Sequence, residues 1–67
     1  MTADDLNSVL EELGWTGAVL GRRLGVRSAT VSAWRKGRVA VPGYVRAYLE
    51  LALAVKRSLS GLEVYGS

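Results

Sequence analysis

The sequence predicts an all-α domain of four or five helices, and three observations support this class. Apolar residues recur at helical spacing in several stretches, and most of these stretches end at a glycine. The single proline, Pro42, lies between two such stretches, where it can begin a helix without losing a backbone hydrogen bond. Hydrophobic residues make up 49% of the chain, which is typical of a folded domain.

The first helix is predicted over residues 3–13. Thr2 and Asp5 have the spacing of a capping box at its start, and Gly14 can stop it. Asp4 and Asp5 lie at the positive end of the helix dipole, which such acids stabilise. These carboxylates therefore have a structural explanation and need no catalytic one.

Two short helices follow, one predicted over residues 17–24 with Thr16 as its cap and one from residue 27 or 28 to residue 36. Gly25 separates them, since glycine freely adopts the left-handed conformation that such a turn needs. Gly21 is expected where the two backbones approach each other. The anchors that face the rest of the domain are apolar: Leu20, Leu24, Val26, Val31 and Trp34.

A fourth helix is predicted over residues 43–59, and residues 60–67 are expected to form a short strand or a frayed end. The apolar stripe expected to pack this helix on the core consists of Val45, Tyr48, Leu49, Ala52, Val55 and Leu59. Leu51 and Leu53 make the helix apolar on almost every side, which is typical of a helix with a second partner.

The chain is therefore expected to form one domain over residues 1–67, with residues 43–67 providing a two-fold dimer interface. The residues expected in that interface are Tyr48, Leu51, Leu53, Val64 and Tyr65.

Charge is distributed unevenly along the chain. The net charge is +3, yet no acidic residue occurs between Glu12 and Glu50, and that stretch holds seven of the nine basic residues. A segment of this kind suits a polyanion, and charge alone leaves a solvated basic face as the alternative.

Several classes of function are disfavoured by composition. The chain has no cysteine and no histidine, which removes disulfides, thiolate metal sites and the most common general base. We expect no catalytic residue, no metal, no cofactor and no small-molecule substrate. No apolar run approaches the ~20 residues of a membrane span, and the acidic start is unlike a secretory signal. A cytoplasmic protein with no membrane partner is expected.

Residues 13–37 read LGWTGAVLGRRLGVRSATVSAWRKG, and this stretch resembles the Cro/Xre (lambda-repressor-like) helix-turn-helix family. The most recognisable part is LGV, then SATVSAW, then KG, and the resemblance covers about residues 6–59. It implies a helix-turn-helix over residues 17–36 that binds double-stranded DNA, commonly as a homodimer. Where the family often has a glutamine this chain has Gly17, and where it often has a serine cap this chain has Arg27.

The resemblance also implies which residues contact DNA. Those expected to reach base edges are Arg27, Ser28, Ala29, Ser32 and Ala33, with Arg27 as the strongest contact. Those expected to reach phosphates are Arg22, Arg23, Arg35, Lys36, Arg38 and Tyr44. With an arginine at the usual cap position, Ser28 is left as the candidate cap of the third helix.

The leading hypothesis is a sequence-specific transcriptional regulator, an autorepressor that binds a palindromic operator as a dimer. Minimal proteins of this kind resemble phage regulators, toxin–antitoxin regulators and small autorepressors associated with anti-CRISPR genes. Two alternatives stay open. One is a helical adaptor whose apolar fourth helix binds another protein, and the other is an architectural protein that binds DNA without sequence preference.

Overall fold

The computed structural model describes the backbone of residues 1–66 and the side chains of residues 1–59. Its helices are α1 (Ala3–Leu13), α2 (Gly17–Leu24), α3 (Ser28–Arg35) and α4 (Gly43–Gly66). Residues 1–66 contain no strand. The predicted all-α class is therefore confirmed, and α1 and α2 have the predicted bounds.

The last helix differs from the prediction. The backbone of α4 continues to Gly66, so residues 60–66 form neither the short strand nor the frayed end that the sequence left open, and the described part of the chain has four helices, the lower of the two expected numbers. Extending an existing helix needs no new nucleus, which favours its continuation over a short new strand. No helix among the described residues is both long and apolar enough to cross a membrane.

Threonine side chains cap the first two helices as predicted. The backbone N–H of Asp5 donates to the Thr2 hydroxyl at 3.1 Å, and the backbone N–H of Thr2 donates to the Asp5 carboxylate at 2.9 Å. At the start of α2, the backbone N–H of Val19 donates to the Thr16 hydroxyl at 3.2 Å. Both helices therefore begin where the sequence places a cap.

The turn between α2 and α3 depends on two glycines. Gly25 has φ +71°, and the N–H of Val26 donates to the Gly21 carbonyl at 2.9 Å, which is the long hydrogen bond of a Schellman motif. Gly21 is buried, and a Cβ added there would lie 2.9 Å from the Val26 carbonyl oxygen. The chain can turn this tightly because residue 21 has no side chain.

All four helices contribute to one core. Its buried members are Leu6, Leu10, Leu20, Val31, Trp34, Val45 and Leu49. Val55 and Leu59, predicted to pack on this core, are instead 51% and 56% exposed. The reason is position on the helix: Val55 lies six residues after Leu49, roughly 120° away around α4, and Leu59 lies beyond Arg57, which already pairs with Glu12 near the end of α1.

We predict that Gly21→Ala destabilises the domain. Forcing the turn away from α2 costs about 1–3 kcal/mol, only partly offset by the ~1 kcal/mol helix propensity of alanine. The expected net loss of about 1 kcal/mol lowers the Tm by roughly 5 °C in a domain this small, measured by circular dichroism.

The matched control is Gly43→Ala, at the start of α4, where a Cβ would meet nothing within 4 Å. This change should leave the Tm unchanged or raise it, since alanine restricts the unfolded chain. Equal Tm values for Gly21→Ala and wild type would contradict the close approach.

The capping box of α1 predicts a pH dependence. The backbone N–H of Thr2, and then its hydroxyl, hold the pKa of the exposed Asp5 carboxylate below its ordinary value of 3.8. A folded-state pKa that is lowered gives stability above the unfolded pKa, near 4, and this stability is lost as pH falls through the folded value. The Tm advantage of wild type over Asp5→Asn should therefore shrink below about pH 4. A difference that stays constant into strong acid would contradict this account.

Candidate nucleic-acid interface

The face of α3 that points away from the core carries small side chains. Val31 and Trp34 turn inward, at 1% and 3% exposure, while Ser28, Ala29 and Thr30 are exposed in the first turn. Two other predicted contact residues are half-buried: Ser32 and Ala33. The surface that α3 presents is therefore centred on its first turn, closer to the N-terminus than predicted.

Thr30 belongs to this surface, although the sequence analysis did not select it. Its hydroxyl and methyl groups are available on an exposed residue between Ala29 and the buried Val31. The sequence signal that could have identified Thr30 is its place in the first turn of a short helix, directly after Ser28 and Ala29, which were predicted to be exposed.

Arg27 occupies the N-cap position of α3 with extended backbone angles, φ −70° and ψ 149°, and makes no capping hydrogen bond. The expectation that Ser28 caps this helix is wrong, because Ser28 is already its first helical residue. At its other end α3 stops at Arg35, one residue earlier than predicted, with Lys36 as its C-cap. The start of α3 thus has an exposed arginine where α1 and α2 have threonine caps.

The positive charge of α2 and α3 is not neutralised within the described side chains. The two ion pairs found there join Arg46 to Glu50 at 2.9 Å and Arg57 to Glu12 at 3.1 Å. Arg46, which is paired with Glu50, is therefore not among the unneutralised basic residues between Glu12 and Glu50. The remaining basic residues are all exposed: Arg22, Arg23, Arg27, Arg35, Lys36 and Arg38.

Arg23 lies apart from the α3 surface. Its guanidinium carbon is 4.5 Å from the centre of the Trp15 ring, and Trp15 lies 6.2 Å from the ring of Tyr48. Arg23 is two residues from Gly21, roughly 200° around α2, so it points away from the turn that Gly21 approaches. Its position supports a cation–π contact with Trp15.

Three other predicted phosphate contacts lie on different elements. Arg22 is exposed in the last turn of α2, and Tyr44 is 57% exposed in the first turn of α4. Arg38 follows α3, where its backbone N–H donates to the Ala33 carbonyl at 3.0 Å. None of the three lines the concavity described next.

A shallow concavity of about 500 Å³ lies where α1, α2 and α3 meet. Its lining residues are Asn7, Gly17, Ala18, Ser28, Val31, Ser32, Arg35 and Lys36. It brings together two predicted base contacts and two predicted phosphate contacts. The lining contains two cationic side chains, two hydroxyls and no carboxylate, a combination suited to an anion.

Asn7 and Arg35 form a reciprocal pair at the edge of this concavity. The Arg35 Nε donates to Asn7 Oδ1 at 2.7 Å, and Asn7 Nδ2 donates to the Arg35 carbonyl at 3.1 Å. These bonds tie α1 to the last turn of α3. No local signal in the sequence marks Asn7, because its partner is 28 residues away and only the fold brings them together.

A separate apolar stripe runs along α4. Leu51, Val55 and Leu59 are 63%, 51% and 56% exposed, and Tyr48 is half-buried at the start of the stripe. With Trp15, Arg23 and Ala52, three of these residues line a second concavity of about 280 Å³.

The predicted dimer residues do not all share this stripe. Leu53 is half-buried and lies two residues, roughly 200°, around the helix from Leu51. Val64 and Tyr65 lie outside the residues whose side chains the structure describes.

Comparisons with protein-family models, with curated proteins and with solved structures return no match to this chain. Among the described residues, no group of three acidic side chains is placed to hold a metal ion. The function is therefore inferred from the chain's own surfaces.

Proposed function

We propose that the protein is a sequence-specific DNA-binding regulator, with α2 and α3 forming a helix-turn-helix of the Cro/Xre (lambda-repressor-like) kind. The observation that carries this proposal is the combination of an exposed first turn of α3 with basic residues that have no acidic partner nearby. In this interpretation α3 enters the major groove, which is about 12 Å wide and admits one helix.

Small side chains on α3 allow its backbone to come close to the base edges. Hydroxyls such as those of Ser28 and Thr30 hydrogen-bond to several bases, and the methyl group of Ala29 can contact a thymine methyl. Short side chains discriminate weakly between bases. Arg27 is therefore assigned the strongest base contact, since arginine binds the two acceptors of guanine at once.

Phosphate contacts are assigned to the exposed basic residues around α3. Arg22 and Arg38 are exposed before and after α3 in the chain, and Arg35 and Lys36 line the concavity. Contacts of this kind fix the register of the protein on DNA without reading sequence. A protein that neutralises about six phosphates loses roughly 10³-fold in affinity between 50 and 200 mM salt.

We further propose that the apolar stripe of α4 binds a second copy of the chain. Three large aliphatic side chains at four-residue spacing, each more than half exposed, form a continuous apolar patch, and such patches often mark an interaction surface. A two-fold dimer would place two α3 helices on half-sites about one helical turn apart, matching a palindromic operator. Such a dimer on its own promoter would repress by occlusion.

The same stripe favours one other function, that of a helical adaptor that binds a different protein through α4. The adaptor needs no contact between α3 and DNA. DNA binding at low salt therefore discriminates between the two functions, and binding without sequence preference would indicate an architectural protein.

We predict opposite effects of Arg27→Ser on stability and on DNA binding. Serine at the N-cap should stabilise α3 by about 1 kcal/mol, because the helix has no side-chain cap. Loss of the arginine should weaken binding to a selected DNA site by about 1–3 kcal/mol, or about 5- to 150-fold. Thermal unfolding and fluorescence anisotropy at two salt concentrations measure the two effects.

Arg27→Ala is the matched control, since it removes the same side chain without supplying a cap. It should weaken DNA binding as much as serine does but give no gain in Tm. Unchanged affinity in both variants would remove Arg27 from the interface, and no binding by wild type at low salt would refute the proposed function.

We predict that Val55→Glu disrupts the dimer, because it buries a carboxylate in the apolar stripe. Sedimentation equilibrium at tens of micromolar should then show a monomer where wild type is a dimer. Ala54→Glu adds the same charge at the neighbouring exposed position, roughly 100° around α4, and should leave the dimer intact. A monomeric wild type, with and without DNA, would refute the dimer.

A further inference from the structure

We infer that Asn7 is a positioning residue that holds the Arg35 guanidinium as the receptor for one phosphate group of bound nucleic acid. This inference rests on the proposed function and deepens it, since it assigns a role in DNA binding to a residue of α1. Asn7 would act through Arg35 and would not itself contact the phosphate.

One nitrogen of the Arg35 guanidinium is already hydrogen-bonded to Asn7. Its Nε donates to Asn7 Oδ1 at 2.7 Å, which fixes the plane and direction of the guanidinium. An arginine has five N–H donors, so the terminal nitrogens keep their donors after this bond. A guanidinium held by one edge presents its other edge as a fork that matches phosphate oxygens.

The position of the Arg35 guanidinium decides what its free edge can reach. Arg35 Nη1 is 3.3 Å from the position that a Cβ on Gly17 would occupy, so the guanidinium lies over the start of α2. Glycine at this position leaves the space that the terminal nitrogen uses. The terminal nitrogens thereby reach the concavity that Ser28 and Ser32 also line.

The charged side chains that line the concavity are all positive. Lys36 and Arg35 both line the concavity, no acidic side chain does, and the two ion pairs of the described side chains lie on α4 and at the end of α1. An anion here meets two positive charges and two hydroxyl donors. The pairing residue is neutral, so Asn7 orients the guanidinium without cancelling its charge.

The test is a double-mutant cycle on DNA affinity as a function of salt. Asn7→Ala and Arg35→Ala should each weaken binding on the order of tenfold and reduce the slope of log K against log salt by about one. In the Arg35→Ala background, Asn7→Ala should have no further effect. In the background of Arg38→Ala, an exposed arginine outside the concavity, Asn7→Ala should cost as much as in wild type. An equal cost in the Arg35→Ala background, or an unchanged salt slope, would overturn the inference.

Asn7→Asp separates positioning from folding. Aspartate still accepts the hydrogen bond from Arg35 Nε but cannot donate to the Arg35 carbonyl, so the Tm should fall no further than in Asn7→Ala, which loses both bonds. The charge of aspartate competes with the phosphate, so DNA affinity should fall further than in Asn7→Ala. A merely structural role predicts that aspartate binds DNA as well as asparagine does, and that result would contradict the inference.

Inorganic phosphate distinguishes the source of the ligand and separates this inference from the proposed function. Titration of ¹⁵N-labelled protein should shift the Arg35 Nε resonance in wild type and not in Asn7→Ala if the site also accepts free phosphate. If DNA binding shows the coupling and free phosphate gives no shift, the ligand is a backbone phosphate alone. If wild type binds no DNA, the proposed function fails, and absence of the shift then overturns the anion site as well.

Discussion

The close approach at Gly21 is the constraint on which the rest of the structure depends. The Val26 carbonyl oxygen lies 2.9 Å from the position that a Cβ on residue 21 would occupy, and the Val26 N–H closes the turn by donating to the Gly21 carbonyl. With α2 and the turn in contact, Val31 and Trp34 reach the core that Leu20 has entered. The opposite side of α3 is thereby exposed. A bulkier residue 21 would move the core side and the exposed side of α3 together.

The distribution of charge follows from the same arrangement. Each described acidic residue with a partner serves the framework: Asp5 in the cap of α1, Glu12 with Arg57, and Glu50 with Arg46. Pairs this exposed add little stability. Their position matters more, because the acidic residues lie on α1 and α4 and none of these pairs neutralises a basic residue of α2 or α3. This separation supports the proposal that one side of the molecule meets a polyanion.

The α4 helix carries more apolar residues than the other three helices cover. Its first half covers the core through Val45 and Leu49, while Leu51, Val55 and Leu59 remain more than half exposed. A domain of this size has a small core, so if a second copy covers this stripe, as proposed, its burial would add stability. Under that proposal folding and assembly are coupled.

Local signals in the sequence determined much of the secondary structure. The threonine caps and the glycine stops predict the bounds of α1 and α2, because a cap or a positive φ is a property of a few adjacent residues. The inward face of α3 was also predictable from helical periodicity. Local signals did not decide residues 60–67, where a brief alternation allowed a strand or a frayed end, whereas the preceding helix continues to Gly66.

Tertiary structure alone decided how these elements meet and which side chains remain exposed. The sequence placed Val55 and Leu59 in one apolar stripe with Leu49, and only the packing of α4 separates the buried Leu49 from the two exposed residues. Asn7 meets Arg35 across 28 residues, and Arg23 lies on Trp15 away from the other basic residues. Contacts of this kind have no local signal because they depend on where distant helices cross. The sequence by itself thus determined which segments form helices and where glycines end them. The packing between helices decided the concavity, the Asn7–Arg35 pair and the exposure of the apolar stripe of α4.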